Sequence, residues 1–214
     1  MASNFDCTMA IGVSFNDSYE LDLLDWITMS CPSSGPEGHI NGNNSFSAWM
    51  SSASGSTRIL YATVNISSTV ISPATFIDPS VASHVNQNYP SVGGSGDTIA
   101  VVWQDNRHLF SHIFTSISTD GGQTFTSSIL VSDTSIISSY NSPDVAYANG
   151  IFHYVWKSNT KVFYKSTTLS SLLSVSNNKT DDVNFKIYPN PTADELQIET
   201  DLTIQKVTII NVDG

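Results

Sequence analysis

The sequence predicts an all-β fold assembled from a repeated antiparallel unit, and three observations lead there. Three tryptophans end similar strings, Phe46-Ser47-Ala48-Trp49, Ala100-Val101-Val102-Trp103 and His153-Tyr154-Val155-Trp156, spaced 54 and 53 residues apart. Each follows a proline (Pro36, Pro90 or Pro143) at an offset of 13 and a glycine (Gly42, Gly96 or Gly150) at six or seven. No stretch of about 12 residues carries capped helical periodicity.

Each unit reads in the same order. The proline opens a first strand, as in Pro90-Ser91-Val92 and Pro143-Asp144-Val145-Ala146. A Gly/Asn turn leads to a second strand that ends near the tryptophan, as in Thr98–Trp103. A polar loop precedes the third strand, at Arg58–Ala62, Ser111–Thr115 and Lys161–Tyr164, and a fourth closes the unit, as in Ser127–Val131. Short β-rich runs between Gly, Pro, Asn and Ser are the strand signature. Four antiparallel strands recurring roughly every 50 residues fit a propeller blade, whose sheet buries both faces on its neighbours. That burial accounts for the apolar run Ile99–Trp103, and the tryptophans are read as core between blades.

Composition narrows the function. Charged residues make up 13% of the 214-residue chain, about half the usual share of roughly 25%. The balance of 19 acidic and 8 basic residues gives a net charge of −11, which repels nucleic acid and anionic membranes. No run of about 18 apolar residues is present, so no membrane span is expected. Cys7 and Cys31 admit either one disulfide or two separate buried thiols. No CxxC spacing suggests zinc, and the five histidines, with His108 and His112 at HxxxH spacing among them, read as ordinary strand or loop residues. Neither a metal nor another cofactor is expected. Residues Met1–Asp6 lack the basic start of a signal peptide, so the natural start is expected upstream.

The middle unit carries the most specific motif of the repeat. Ser118-Thr119-Asp120-Gly121-Gly122-Gln123-Thr124-Phe125 fits S-x-D-x-G-x-T-F/W at every defined position. In a hairpin turn, Asp120 accepts backbone N–H groups, Gly122 takes positive φ and Phe125 anchors the turn by packing. The string resembles the Asp-box of the bacterial neuraminidase repeat. That resemblance implies a sialidase-like β-propeller in which Ser118, Asp120, Gly122, Thr124 and Phe125 are structural. Thr63-Val64-Asn65-Ile66-Ser67-Ser68-Thr69-Val70 is a worn copy with Asn for Asp, and Ser14–Ser18 is a fainter echo. Residues 7–25 are therefore expected to supply the outer strands of an earlier blade. Residues 1–173 form about three and a half blades, an incomplete ring, since six such repeats need about 320 residues.

After Leu173 the composition changes. Residues 174–182 read as a polar linker. The string Tyr188-Pro189-Asn190-Pro191-Thr192, then Leu196-Gln197-Ile198 and a strand closing in Asp213-Gly214, resembles the type A sorting domain of the type IX secretion system (T9SS). The resemblance implies that 183–214 is the N-terminal part of a small antiparallel β-sandwich. It implies export by the type IX secretion machinery and a secreted or outer-membrane cell-surface location in a Gram-negative bacterium. The chain ends short of the family's full domain.

The expected function is a carbohydrate- or protein-binding or adhesion module, with a glycan or surface protein as ligand. An exo-sialidase-like glycoside hydrolase fragment is the alternative, and a structural spacer a third reading. The sialidase resemblance implies three arginines clamping a substrate carboxylate. This chain has two, Arg58 and Arg107, in different repeats and without a third partner, so no catalytic residue is assigned. Candidate ligand residues are Asp105, Asn106 and Arg107, in the loop between strands two and three at the opposite end from the Asp-box. The same loop also reads as an exposed turn with a local Asp–Arg pair of little weight.

Overall fold

The first repeat forms four antiparallel strands in sequential order, β1 (Glu37–Asn41), β2 (Asn44–Ser51), β3 (Arg58–Asn65) and β4 (Thr75–Phe76). The second does the same with β5 (Gln87–Ser95), β6 (Thr98–Asp105), β7 (His112–Ser118) and β8 (Ile129–Leu130). The third has β9 (Asn141–Ala148), β10 (Ile151–Lys157) and β11 (Val162–Thr168). This computed structural model describes residues 18–24, 34–53, 55–135, 138–173, 185–188 and 197–200. Two compact units divide the chain, Met1–Leu172 and Leu173–Gly214.

The tryptophans hold equivalent places. Trp49 pairs with Leu60, Trp103 with Phe114 and Trp156 with Phe163, each on the third strand. Two-residue turns at Gly42-Asn43, Gly96-Asp97 and Asn149-Gly150 join first to second strands. Side chains alternate along a strand, and β2 and β6 bury both faces, whereas β10 buries one. Phe46, Ala48 and Met50 pack with Ile99, Val101 and Trp103, sealing the first sheet to the second. Ala100 and Val102 pack with Phe152, Tyr154 and Trp156, sealing the second to the third. The other face of the first sheet (Trp49, Leu60, Ala62, Val64) is covered by Leu21.

Two expectations need correction. Pro36 directly precedes β1, as expected, but Pro90 and Pro143 do not open their strands: they lie inside β5 and β9, where the register slips between Asn88 and Ser91 and between Val155 and Lys157. A bulge is where a residue without an N–H fits a ladder. The preceding residues, Tyr89 (φ 51°) and Ser142 (φ 48°), take positive φ at the matching place. The third sheet has three strands rather than four among the described residues. Helix α1 (Leu169–Leu173) follows β11 directly, and Thr168 Oγ1 accepts the Ser171 N–H at 3.2 Å. This is an N-cap bond, and Leu169 and Leu172 pack against the second inter-sheet core.

In the second unit, β12 (Phe185–Tyr188) and β13 (Gln197–Thr200) pair antiparallel, with Ile187 opposite Ile198. Cys7, Cys31, the N-terminal echo at 14–17, the linker 174–182 and Pro189–Thr192 lie outside the described residues.

Candidate functional site

Three polar constellations stand out in the first unit. The first is built around the proposed ligand loop. Asp105 ends β6 fully buried, and its carboxylate is enclosed by donors. Its Oδ1 accepts Arg107 N at 2.8 Å and Arg107 Nε at 2.9 Å, and its Oδ2 accepts Arg107 Nη2 at 2.5 Å. Gln87 Nε2 (3.2 Å) and Trp103 Nε1 (3.4 Å) also donate to Oδ2. Arg107 reaches Asp78 Oδ2 at 2.7 Å and Ser128 Oγ at 2.9 Å, and its guanidinium lies 4.0 Å over the Phe114 ring. Arg58, from the other repeat, donates to Asp78 O and, at 3.4 Å, to Gln87 Oε1.

The loop is thus more than an exposed turn with a local pair: Asn106 and His108 are exposed, but Arg107 also reaches Asp78 and Ser128. The two arginines expected to stand apart converge on one network, which ties the first sheet to the second. Burial alone would raise the Asp78 carboxyl, but hydrogen bonds from Arg107, Ser128 and Ser80 outweigh it and hold the group below its ordinary value. For Arg107, burial opposes the charge, while Asp105 and Asp78 outweigh burial and raise its pKa. Asn106 accepts the Asn86 N–H at 2.7 Å and donates its own backbone N–H to Asn86 O at 3.2 Å.

The second constellation is the turn after β7. Asp120 Oδ1 accepts Ser118 Oγ (2.7 Å), Gln123 N (3.0 Å) and Thr124 N (2.9 Å), while Oδ2 accepts Thr124 Oγ1 at 2.5 Å. Bonds from the Thr124 side chain, the Thr124 backbone and Ser118 hold Asp120 well below the usual carboxylate range. Gly122 sits at φ 84°, where a Cβ would overlap Tyr61 Oη, so only glycine fits there. Phe125 stands edge-on to Tyr61 at 4.8 Å, joining the core between the first two sheets. In the first repeat, Asn65 Oδ1 accepts Ser68 N at 3.0 Å, the same local geometry with a neutral acceptor.

The third constellation lies on the first strands, which run side by side: β5 lies against both β1 and β9. The approach is close enough that a Cβ on Gly93 would overlap Val145 O. His39 Nε2 lies 3.0 Å from Gly94 O, and Asn41 Nδ2 donates to Gly96 O at 2.6 Å. Glu37, Ser91 and Asp144 each follow a repeat proline directly and so occupy one register position on three adjoining strands. Ser91 Oγ donates to Asp144 Oδ1 at 2.6 Å, and Val145 N to the same oxygen at 2.8 Å. Desolvation, then repulsion from Asp144, raises the Glu37 carboxyl above its ordinary value. Sequence reading passed over this row, although the position after each repeat proline is a usable signal. Asp78, Gln87 and Ser128 carry no such signal.

No protein-family model matches the chain, and no curated protein matches it by sequence. Among solved structures, the chain is similar to an α-L-arabinofuranosidase from Podospora anserina, solved in complex with cellotriose. Identity is 14%, the match covers 63% of this chain and 46% of that one, and the TM-score is 0.43. The chain therefore spans somewhat less than half of that structure's length.

Proposed function

We propose that the first unit is a run of propeller blades that binds a glycan across the row Glu37, Ser91 and Asp144. The observation that carries this reading is the row itself: three hydrogen-bonding side chains at one repeat position on adjoining strands. Carboxylates and hydroxyls set side by side suit the hydroxyl pairs of a sugar ring, because charge-assisted bonds are the strong ones. Ser118, Asp120, Gly122, Thr124 and Phe125 then form a structural Asp-box, and Arg107 and Arg58 a clamp between blades. The type IX sorting resemblance of 183–214 supports export to the cell surface of a Gram-negative bacterium.

The test is titration calorimetry against a panel of neutral and acidic oligosaccharides. Losing a bond to a carboxylate costs about 1.5–3 kcal/mol, so Asp144→Asn weakens binding roughly 10- to 150-fold. Binding unchanged in that variant, or no binding by the wild type, refutes the site.

A glycosidase is the second reading, and one observation favours it. Burial, then the neighbouring Asp144, raises the Glu37 carboxyl, and a carboxyl with a raised pKa beside a second carboxyl is the pairing that acid-assisted glycoside hydrolysis uses. Turnover of chromogenic glycosides, lost in Glu37→Gln, would select it. Binding without turnover leaves the adhesion reading.

A further inference from the structure

The two ends of the stacked sheets differ in chemistry. On β10, His153, Val155 and Lys157 hold the positions that Ala100, Val102 and Gln104 hold on β6 and Phe46, Ala48 and Met50 on β2. In the first two sheets this face packs on the following sheet. In the third it is open: Val155 is exposed, Tyr164 opposite it is 61% exposed, and Val162 is 79% exposed. Tyr164 is held flat. Its ring stacks on His153 at 6.0 Å and 25°, and its hydroxyl lies 2.8 Å from His153 Nδ1. Exposed Lys157 and Lys161 flank this face.

The opposite end is complementary. Residues 18–24 cover the first sheet through buried Leu21, and Asp22 Oδ2 accepts Trp49 Nε1 at 3.0 Å. The same segment turns Leu23 (79% exposed) and Leu24 outward beside exposed Glu20. Among the described residues, one end thus offers apolar surface with cations, the other apolar surface with an anion.

We propose that copies of this chain associate head to tail, the outer face of β9–β11 docking on the 18–24 segment of the next copy. The occupant is a second copy because the two ends complement each other in both respects. A chain carrying −11 repels its own kind, so opposite charges localised at the contact are what allow it to form. Such a contact is heterologous, using a different patch on each partner.

Sedimentation equilibrium on the full chain tests this with exposed substitutions that leave the core untouched. The wild type is expected to exceed its 23.2 kDa mass increasingly as concentration rises. Lys157→Glu with Lys161→Glu is expected to return the mass to 23.2 kDa, as is Glu20→Lys alone. The chain carrying all three is expected to associate again. A wild type that stays monomeric at every concentration overturns the proposal. So does association that survives either charge reversal, or a combined variant that fails to recover it. Circular dichroism of each variant separates lost contact from lost fold.

Discussion

Replacing Arg107 by Ala removes the cation shared by two buried carboxylates. Asp105 is 0% and Asp78 2% exposed, so neither gains water in exchange. Deleting one partner of a buried pair costs about 3–5 kcal/mol. Arg107 itself is 21% exposed, which screens part of the interaction and favours the low end, about 3 kcal/mol. Loss of the guanidinium over Phe114 is included in that figure. For a unit of this size, the melting temperature falls by roughly 6–12 °C. Arg107→Lys keeps the charge but not the planar fork, so it lies between the two.

The effect also depends on pH. Asp78 is held below its ordinary value, so its stabilisation is complete above about pH 3.9, the unfolded value. It is lost as pH falls through the folded value. The gap between wild type and Arg107→Ala therefore closes in acid. Urea unfolding followed by tryptophan fluorescence at pH 7 and pH 3 measures both. A gap under about 1 kcal/mol at pH 7, the scale of a surface pair, refutes the clamp. An equal gap at both pH values does the same.

Other outcomes follow from the same geometry. Gly122→Ala, forced to positive φ against Tyr61, is expected to destabilise by roughly 1–3 kcal/mol, read by thermal melting; an unchanged melt contradicts the turn geometry. Asp120→Ala is expected to speed hydrogen exchange at the Gln123 and Thr124 amides, which donate to that carboxylate, while β6 amides keep their protection. His112 is buried, with its pKa lowered by desolvation and by His108 against the opposing pull of Asp133. Its neutral form thus favours the fold, and stability declines as pH drops below about 6.5. His112→Gln should flatten that decline in a melting-temperature series.

Much of the repeat was legible because it is written in local chemistry. The apolar strings before Trp49, Trp103 and Trp156 read as strands, and all three became second strands in matched register. Pro90 and Pro143 misled because the ladder accommodates them through bulges, a tertiary solution that strand propensity does not encode. Among the described residues β11 leads into α1, capped by Thr168, a local bond that the repeat pattern does not announce. The Arg58–Asp78–Arg107 meeting was illegible for a different reason. The residues lie 20 and 29 positions apart, and only sheet-on-sheet packing brings them together. The row at Glu37, Ser91 and Asp144 could have been read by aligning the repeats on their prolines.

The most direct test of the glycan-binding account is backbone amide NMR of the isotopically labelled chain, titrated with the tightest oligosaccharide from the calorimetric panel. The account predicts saturable shifts centred on Glu37, Ser91 and Asp144, with the Asp120 turn unmoved. Shifts centred elsewhere, or none up to saturating sugar, would contradict it.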